Sequence, residues 1–246
     1  MMLAAPAILR DYVVVSNRAI ADGVFELVLR PASDGDRIPD PRAGQWVMLH
    51  LLEESGTIFG KNPYSIANAP DNVVSSGRIE LVIRTAGAFT RRAQALQEGD
   101  RAKLQGPFGV FTLAEGATRH AFFAGGIGIT PLRSMILALL ARQPETPIIL
   151  FYSSRTAREA AFLAEFREIA ASHLNVSFIP TFTREIDHAV EEERGRISDA
   201  LVRRHLGTTD GLACYVCGPR PFMEEVMGIL ERIGVPKAGI HSEKFG

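Results

Sequence analysis

Four groups of residues in this chain have the types and spacing to do chemistry. Near the midpoint, Ala124-Gly125-Gly126-Ile127-Gly128-Ile129-Thr130-Pro131 follows a short apolar run and precedes residues at helical spacing. Thr130 reads as an N-cap and Pro131 fits a first helical turn. Gly125, Gly126 and Gly128 carry no side chains to hold an anion away from the backbone N–H groups, and the helix dipole favours negative charge there. The same pattern also serves as a plain β–α turn, and Pro131 stands where the G-x-G-x-x-G fingerprint would carry its third glycine. Gly87-Ala88-Phe89-Thr90 is a second such start, with Thr90 read as the cap and Arg84, Arg91 and Arg92 nearby. Asn62-Pro63-Tyr64-Ser65 offers a planar face and a hydroxyl donor to a heterocycle, or simply a polar-tipped tyrosine at a strand edge. Cys214 and Cys217 form a C-x-x-C pair, but on a strand side chains three apart face opposite ways, so neither a redox pair nor a metal site is expected.

The elements that must hold these groups divide the chain in two. Tyr12 to Val15, Val24 to Leu29, Trp46 to Leu51 and Ile79 to Arg84 read as strands, with Phe89 to Leu96 a short helix. Ala32 to Gly44, Ala69 to Gly77 and Gly106-Pro107-Phe108-Gly109 read as turns. This spacing predicts a small antiparallel barrel ending near Leu113. From Arg119 onward strands and helices alternate: Arg119 to Phe123, Leu132 to Arg142, Pro147 to Tyr152, Ala157 to Ala171, Val176 to Thr183, Ser198 to Leu206, Ala213 to Cys217 and Pro221 to Ile233. That order predicts a parallel sheet whose ligands bind beyond the carboxyl ends of its strands. The expected fold is thus an antiparallel β-barrel domain, residues 1–115, followed by an α/β parallel-sheet domain, residues 116–246.

Bulk properties exclude several classes. In 246 residues, 46% hydrophobic and 22% charged, the formal net charge is -1, which gives no reason to expect nucleic acid as a partner. No apolar run approaches the ~18 residues of a membrane span. Met1 to Arg10 lacks a basic n-region, so a cytoplasmic location is expected. Two cysteines cannot supply the four ligands of an iron–sulfur cluster.

Taken together, N-P-Y-S, G-A-F-T, G-G-I-G-I-T-P, C-G-P and a terminal E-K-F resemble, in order and spacing, the ferredoxin–NADP reductase superfamily of flavoprotein reductases, in a form without an iron–sulfur domain. The resemblance covers nearly the whole chain. It implies a flavin-binding barrel, with Tyr64 stacked on the isoalloxazine, Ser65 bonded near its N5, and Gly87 and Thr90 at the flavin phosphates. It implies that Gly126, Gly128 and Thr130 receive the nucleotide pyrophosphate and that Cys217-Gly218-Pro219 border the nicotinamide. Glu243 and Phe245 match the family's terminal acid and aromatic. The implied cofactors are FAD, with FMN as the alternative, and NADPH or NADH. The implied activity passes a hydride from nicotinamide to flavin and electrons to a separate ferredoxin, flavodoxin or oxygenase component. Ser65, Cys217, Glu243 and Phe245 would border the reacting rings.

The chain departs from the family at Asn62, where an arginine is usual. A charge-assisted hydrogen bond contributes roughly 1.5–3 kcal/mol, so its loss weakens flavin binding about ten- to a hundredfold unless Arg84 or Arg91 compensates. Lys61 is adjacent but points to the other face. This departure leaves open a reductase of free flavin, and a flavin-binding electron-transfer subunit of a larger complex. Ser154 and Arg155, at the end of the second parallel strand, could meet a 2′-phosphate, joined by Arg184 and Arg196.

Overall fold

The computed structural model describes residues 8–185 and 193–244. The chain divides into two compact units, one running to Thr112 and taking in Arg133–Ala138, the other holding Leu113–Leu132 and the chain from Leu139 on.

The first unit is built on strands β1 (Arg10–Ala21), β2 (Val24–Pro31), β3 (Trp46–Leu52), β4 (Ile58–Ser65), β5 (Ile79–Arg84) and β6 (Arg101–Phe108), with helices α1 (Pro70–Ser76) and α2 (Ala88–Ala95). The sheet order is β4-β3-β6-β1-β2-β5, and every pairing is antiparallel. Its two ends meet where Ile66, just past β4, bridges Leu81 on β5, which closes the sheet into a barrel. Alternate residues fill the interior: Val47, Leu49 and Leu51 from β3, Leu27 and Leu29 from β2, Leu81 and Ile83 from β5. Tyr64 and Phe89 pack half-buried against that core.

Two segments read as turns are regular structure. Ala69 to Gly77 holds α1, with Pro70 at its first position and Gly77 closing it at φ 68° through an N–H bond to the Val73 carbonyl. The dense Pro, Asp, Asn and Ser of this stretch masked the proline-first, glycine-last signature of a short helix. Gly106-Pro107 lies inside β6, where a register irregularity against β3 accommodates a residue that cannot donate to the ladder.

The second unit contains β7 (Arg119–Gly125), both ends of α3 (Ile129–Arg142), whose middle, Arg133–Ala138, counts with the first unit, then β8 (Ile148–Ser154), α4 (Leu163–Ser172), β9 (Val176–Phe182), β10 (Glu193–Arg194), α5 (Asp199–Leu206), β11 (Leu212–Gly218), α6 (Arg220–Arg232) and β12 (Ile240–Lys244). The order β10-β9-β8-β7-β11-β12 is parallel throughout. β7 and β11 are buried along nearly their whole length, as strands covered on both faces must be. From β7 the chain moves outward to β8, β9 and β10, then returns to β11 on the other side. The topological switch point therefore lies between the carboxyl ends of β7 and β11.

The helix read over Ala157 to Ala171 begins only at Leu163. The Ala157 N–H is taken by the Glu185 carboxylate at 2.9 Å, and Phe162 sits at φ 61°, outside helical geometry. A tie to the segment after β9 thus occupies the residues that local pattern alone would have made helical.

Candidate functional site

In the first unit the residues singled out lie along edge strand β4 and the start of α2. Tyr64, Asn62 and Gly60 pair with Val47, Leu49 and Leu51 and share their face of the sheet, while Lys61 pairs with His50 on the other face. Gly60 admits the Phe89 ring: a Cβ there would stand 3.3 Å from Phe89 Cδ2. The Tyr64 and Phe89 rings lie nearly parallel, centroids 6.3 Å apart. Asn62 hydrogen-bonds the Tyr64 hydroxyl, whose pKa burial pushes up. Ser65 is buried, and among the described residues its Oγ has no hydrogen-bond partner. A buried hydroxyl in that condition costs free energy unless a ligand or water satisfies it.

α2 begins one turn earlier than Thr90 would set it. Gly87 holds the cap position and Thr90 is the third helical residue. The Thr90 hydroxyl accepts from the Ala86 and Gly87 N–H groups, at 2.8 and 3.0 Å, and donates to the Gly87 carbonyl. Those two N–H groups are thereby occupied, and the orphan donors left for an anion are those of Ala88, Phe89 and Thr90. A Cβ at Gly87 would meet nothing within 4 Å, so the approach is open. Arg84 ends β5, partly buried, two residues before this turn.

In the second unit the turn after β7 is a 3-10 segment, Gly126–Gly128, leading into α3. Thr130 is the second residue of α3 rather than its cap; its buried hydroxyl donates to the Ile127 carbonyl at 2.9 Å. Pro131 falls in the first turn, as expected. The three glycines serve different ends. A Cβ on Gly128 would overlap the Cys217 carbonyl, and one on Gly125 would stand 2.7 Å from the Phe222 ring. At Gly126 (φ 54°) a Cβ would meet nothing. Only Gly126 is bare toward open space; its two neighbours are bare so that β11 and α6 can approach.

Across the switch point, β11 ends in Cys217-Gly218 and Pro219 caps α6. Cys214 faces the apolar cluster with Ala121 and Phe123, its pKa pushed by burial to about 12, while Cys217 is on the other face. Cys217 pairs with Glu243 on β12, and its thiol is held far above the usual range by burial and by that carboxylate. Burial raises the Glu243 carboxyl to about 7. Its Oε2 is buried with no partner among the described residues. Phe245 lies outside the described residues.

Ser154 is buried at the end of β8 and Arg155 is exposed beyond it. The Thr183 and Arg184 N–H groups bond the Ser154 and Arg155 carbonyls, so the two arginines leave neighbouring strand ends. Arg155 stands 3.9 Å from Glu159, whereas Arg196 is engaged by Glu225 at 3.1 Å.

Residues 122–227 match the oxidoreductase NAD-binding domain family. The reductase component DmpP of a Pseudomonas phenol 2-monooxygenase is 32% identical over 215 residues, 85% of this chain and 59% of that protein. An Amycolatopsis cytochrome P450 reductase, GcoB, superposes with a TM-score of 0.81 at 28% identity, over 98% of this chain and 72% of that one. A ferredoxin NADP+ reductase from Neisseria gonorrhoeae shares the fold over 96% of this chain and 98% of its own, TM-score 0.77, at 18% identity. The chain belongs to the ferredoxin–NADP reductase superfamily. It spans 59% to 63% of the length of the curated relatives it matches first.

Within this superfamily member the fold gathers the sequence-singled residues into two groups. Tyr64, Ser65, Asn62, Gly87 and Thr90 belong to the barrel unit; Gly125 to Pro131, Cys217 to Pro219, Glu243, Ser154 and Arg155 belong to the parallel-sheet unit. Sequence reading missed Phe222, Phe89 and Glu185. Phe89 lay inside the quoted G-A-F-T and carried an aromatic signal; Phe222 and Glu185 gave none, because their partners are distant in the chain. No group able to hold a metal is found among the described residues, and no described helix is long and apolar enough to cross a membrane.

Proposed function

We propose that the chain is a flavin-dependent NAD(P)H reductase, with residues 1–115 holding the flavin and 116–246 the nicotinamide nucleotide. The observation that carries the reading is a pair of buried polar atoms without partners among the described residues, Ser65 Oγ at the end of β4 and Glu243 Oε2 on the strand position paired with Cys217. Each belongs to a unit that also presents an open glycine at a helix start, Gly87 in one and Gly126 in the other. That combination suits two ligands that each join a hydrogen-bonding ring to a phosphate group.

When bound, a flavin would supply the redox chemistry, taking a hydride from a nicotinamide and passing electrons to an acceptor. Tyr64 offers a ring plane for stacking, and Ser65 donates a hydrogen bond at the ring edge. The α2 N-terminus would hold the phosphate, with Arg84 and Arg91 adding charge. Gly126 lets the nucleotide pyrophosphate reach the backbone of the turn. Glu243, lifted by burial to about 7, exists in both protonated and ionised forms near neutral pH and can exchange a proton beside the ring site. Cys217 stays a neutral thiol that fills space beside the nicotinamide; it is no nucleophile. Arg155 and Arg184 favour NADPH, whose 2′-phosphate they would share.

The reductase components of phenol and propane monooxygenases among the relatives support a separate oxygenase component as the electron acceptor. Protein reconstituted with FAD or FMN should lose its flavin absorption band on anaerobic titration with NADPH or NADH. A band that persists with flavin demonstrably bound ends the proposal.

One observation favours a second reading, reduction of free flavin. Asn62 is neutral and bonded to Tyr64, so it contributes no charge to a flavin phosphate. Retention of stoichiometric flavin through desalting decides for the prosthetic-group reading; rapid loss with sustained turnover of added riboflavin decides for the other.

A further inference from the structure

We propose that Phe222 is a positioning residue for the nicotinamide nucleotide, its ring fixing how the turn after β7 and the turn after β11 leave their neighbouring strands. This rests on the nucleotide reading above. Phe222 is the third residue of α6, partly buried, one position before the stripe of Met223, Val226, Ile229 and Leu230 that anchors the helix. Its ring lies against both glycine turns at once. A Cβ on Gly125 would stand 2.7 Å from Phe222 Cδ1 and 2.8 Å from Cγ, and a Cβ on Gly218 would stand 2.8 Å from the same Cδ1. The same Cβ on Gly218 would also stand 3.0 Å from Gly125 Cα and 3.1 Å from Gly125 N, so the two strand ends leave no room for a side chain beside the ring.

Gly126 sits at φ 54° and Gly218 at φ 159°, backbone conformations that glycine adopts readily and other residues do not. A nucleotide gains affinity from such turns only if they are held in the receiving geometry before it arrives. The turns flank the switch point, where pyrophosphate and nicotinamide ends of one ligand would be received together. β7 and β11 are ladder neighbours up to Ala124 and Cys217, so the sheet sets the separation there; a rigid ring wedged against Gly125 and Gly218 fixes how the two turns leave it, where a flexible aliphatic chain would fill volume without fixing it.

The test measures binding of NADPH, NADH and ADP-ribose by calorimetry, with flavin retention and thermal unfolding followed in parallel. Wild type, Phe222→Leu, Phe222→Ala, Gly125→Ala and the Gly125→Ala/Phe222→Ala pair are compared. Phe222→Ala should weaken all three ligands on the order of tenfold while flavin retention is unchanged. Phe222→Leu, which keeps the bulk, should fall between and serves if the alanine variant does not fold. Gly125→Ala should lose stability through collision with the ring, and removing the ring in the double variant should restore part of it, the Pro219 Cδ contact at 3.1 Å remaining. Nucleotide affinity should stay low in that double variant, because packing is partly repaired and positioning is not. Wild-type affinity in Phe222→Ala or Phe222→Leu, or recovery of affinity along with stability in the double variant, overturns the proposal. Failure of the wild type to bind any of the three ligands instead removes the nucleotide reading itself.

Discussion

At Gly126 the sign of φ and the empty space beyond Cα act on different quantities. Alanine there costs about 1–2 kcal/mol of backbone strain but collides with nothing, so Gly126→Ala should fold and bind NADPH poorly, read as a raised KM with flavin still bound. Gly128→Ala drives a methyl into the Cys217 carbonyl and should fail to accumulate as folded protein, a difference that circular dichroism and yield would register. Glu243 makes a second residue-scale prediction. Burial lifts its pKa from 4.5 to about 7, so the folded protein holds that proton more tightly than the unfolded chain. The resulting stability is full below the unfolded value, declines as pH rises, and is gone above the folded value. Wild type should therefore lose thermal stability relative to Glu243→Gln between about pH 4.5 and about pH 7, and the gap should level off beyond. A constant gap across that range would mean that Glu243 is already ionised in the fold. Asn62→Arg restores a charge toward a flavin phosphate and should slow flavin loss on dilution, by about ten- to a hundredfold in affinity if the arginine reaches the phosphate.

The elements differ in how openly the chain declares them. β7, β8 and β11 were legible because a strand buried on both faces must be largely apolar, as Ala121-Phe122-Phe123-Ala124 is. The glycine turn and the presence of α3 were legible locally, from the glycines and the apolar spacing after Pro131, but the cap was read two residues late: Gly128 holds it and Thr130 lies inside the helix. What escaped depends on contacts between distant residues. α4 starts late because Glu185 holds the Ala157 N–H, and the distinct duties of Gly126 and Gly128 depend on a Cys217 carbonyl far along the chain. The second helix start was placed but its cap was assigned one turn late: glycine at the cap has no side chain, so the Thr90 hydroxyl reaches back to do that work. Thr90→Val keeps the shape and removes the acceptor of two N–H groups. It should destabilise the fold by about 1–2 kcal/mol and lower flavin retention together, measured by chemical unfolding and by absorbance after desalting.

For the molecule as a whole, each sheet has its own apolar core and its own open helix start, so two different ligands should leave two separate footprints. A ligand at a hundred times its dissociation constant stabilises the state it binds by about 2.7 kcal/mol, enough to slow hydrogen exchange roughly a hundredfold where opening is local. Added FAD should protect the backbone amides of Tyr64 to Ala67 and of Ala88 to Thr90, leaving those of Ala86 and Gly87, already bonded to Thr90, little changed. Added ADP-ribose should protect Gly126 to Ile129 and Gly218, and leave β4 and α2 unaffected. A net charge of -1 lends neither anion any long-range attraction, so such footprints would report the local cradles rather than a general pull on phosphate. Overlapping footprints, or FAD protecting the turn after β7 in place of β4, would assign the two cofactors the wrong way round. Protection confined to one half by both ligands would leave the chain with a single nucleotide site and no route for hydride between two rings.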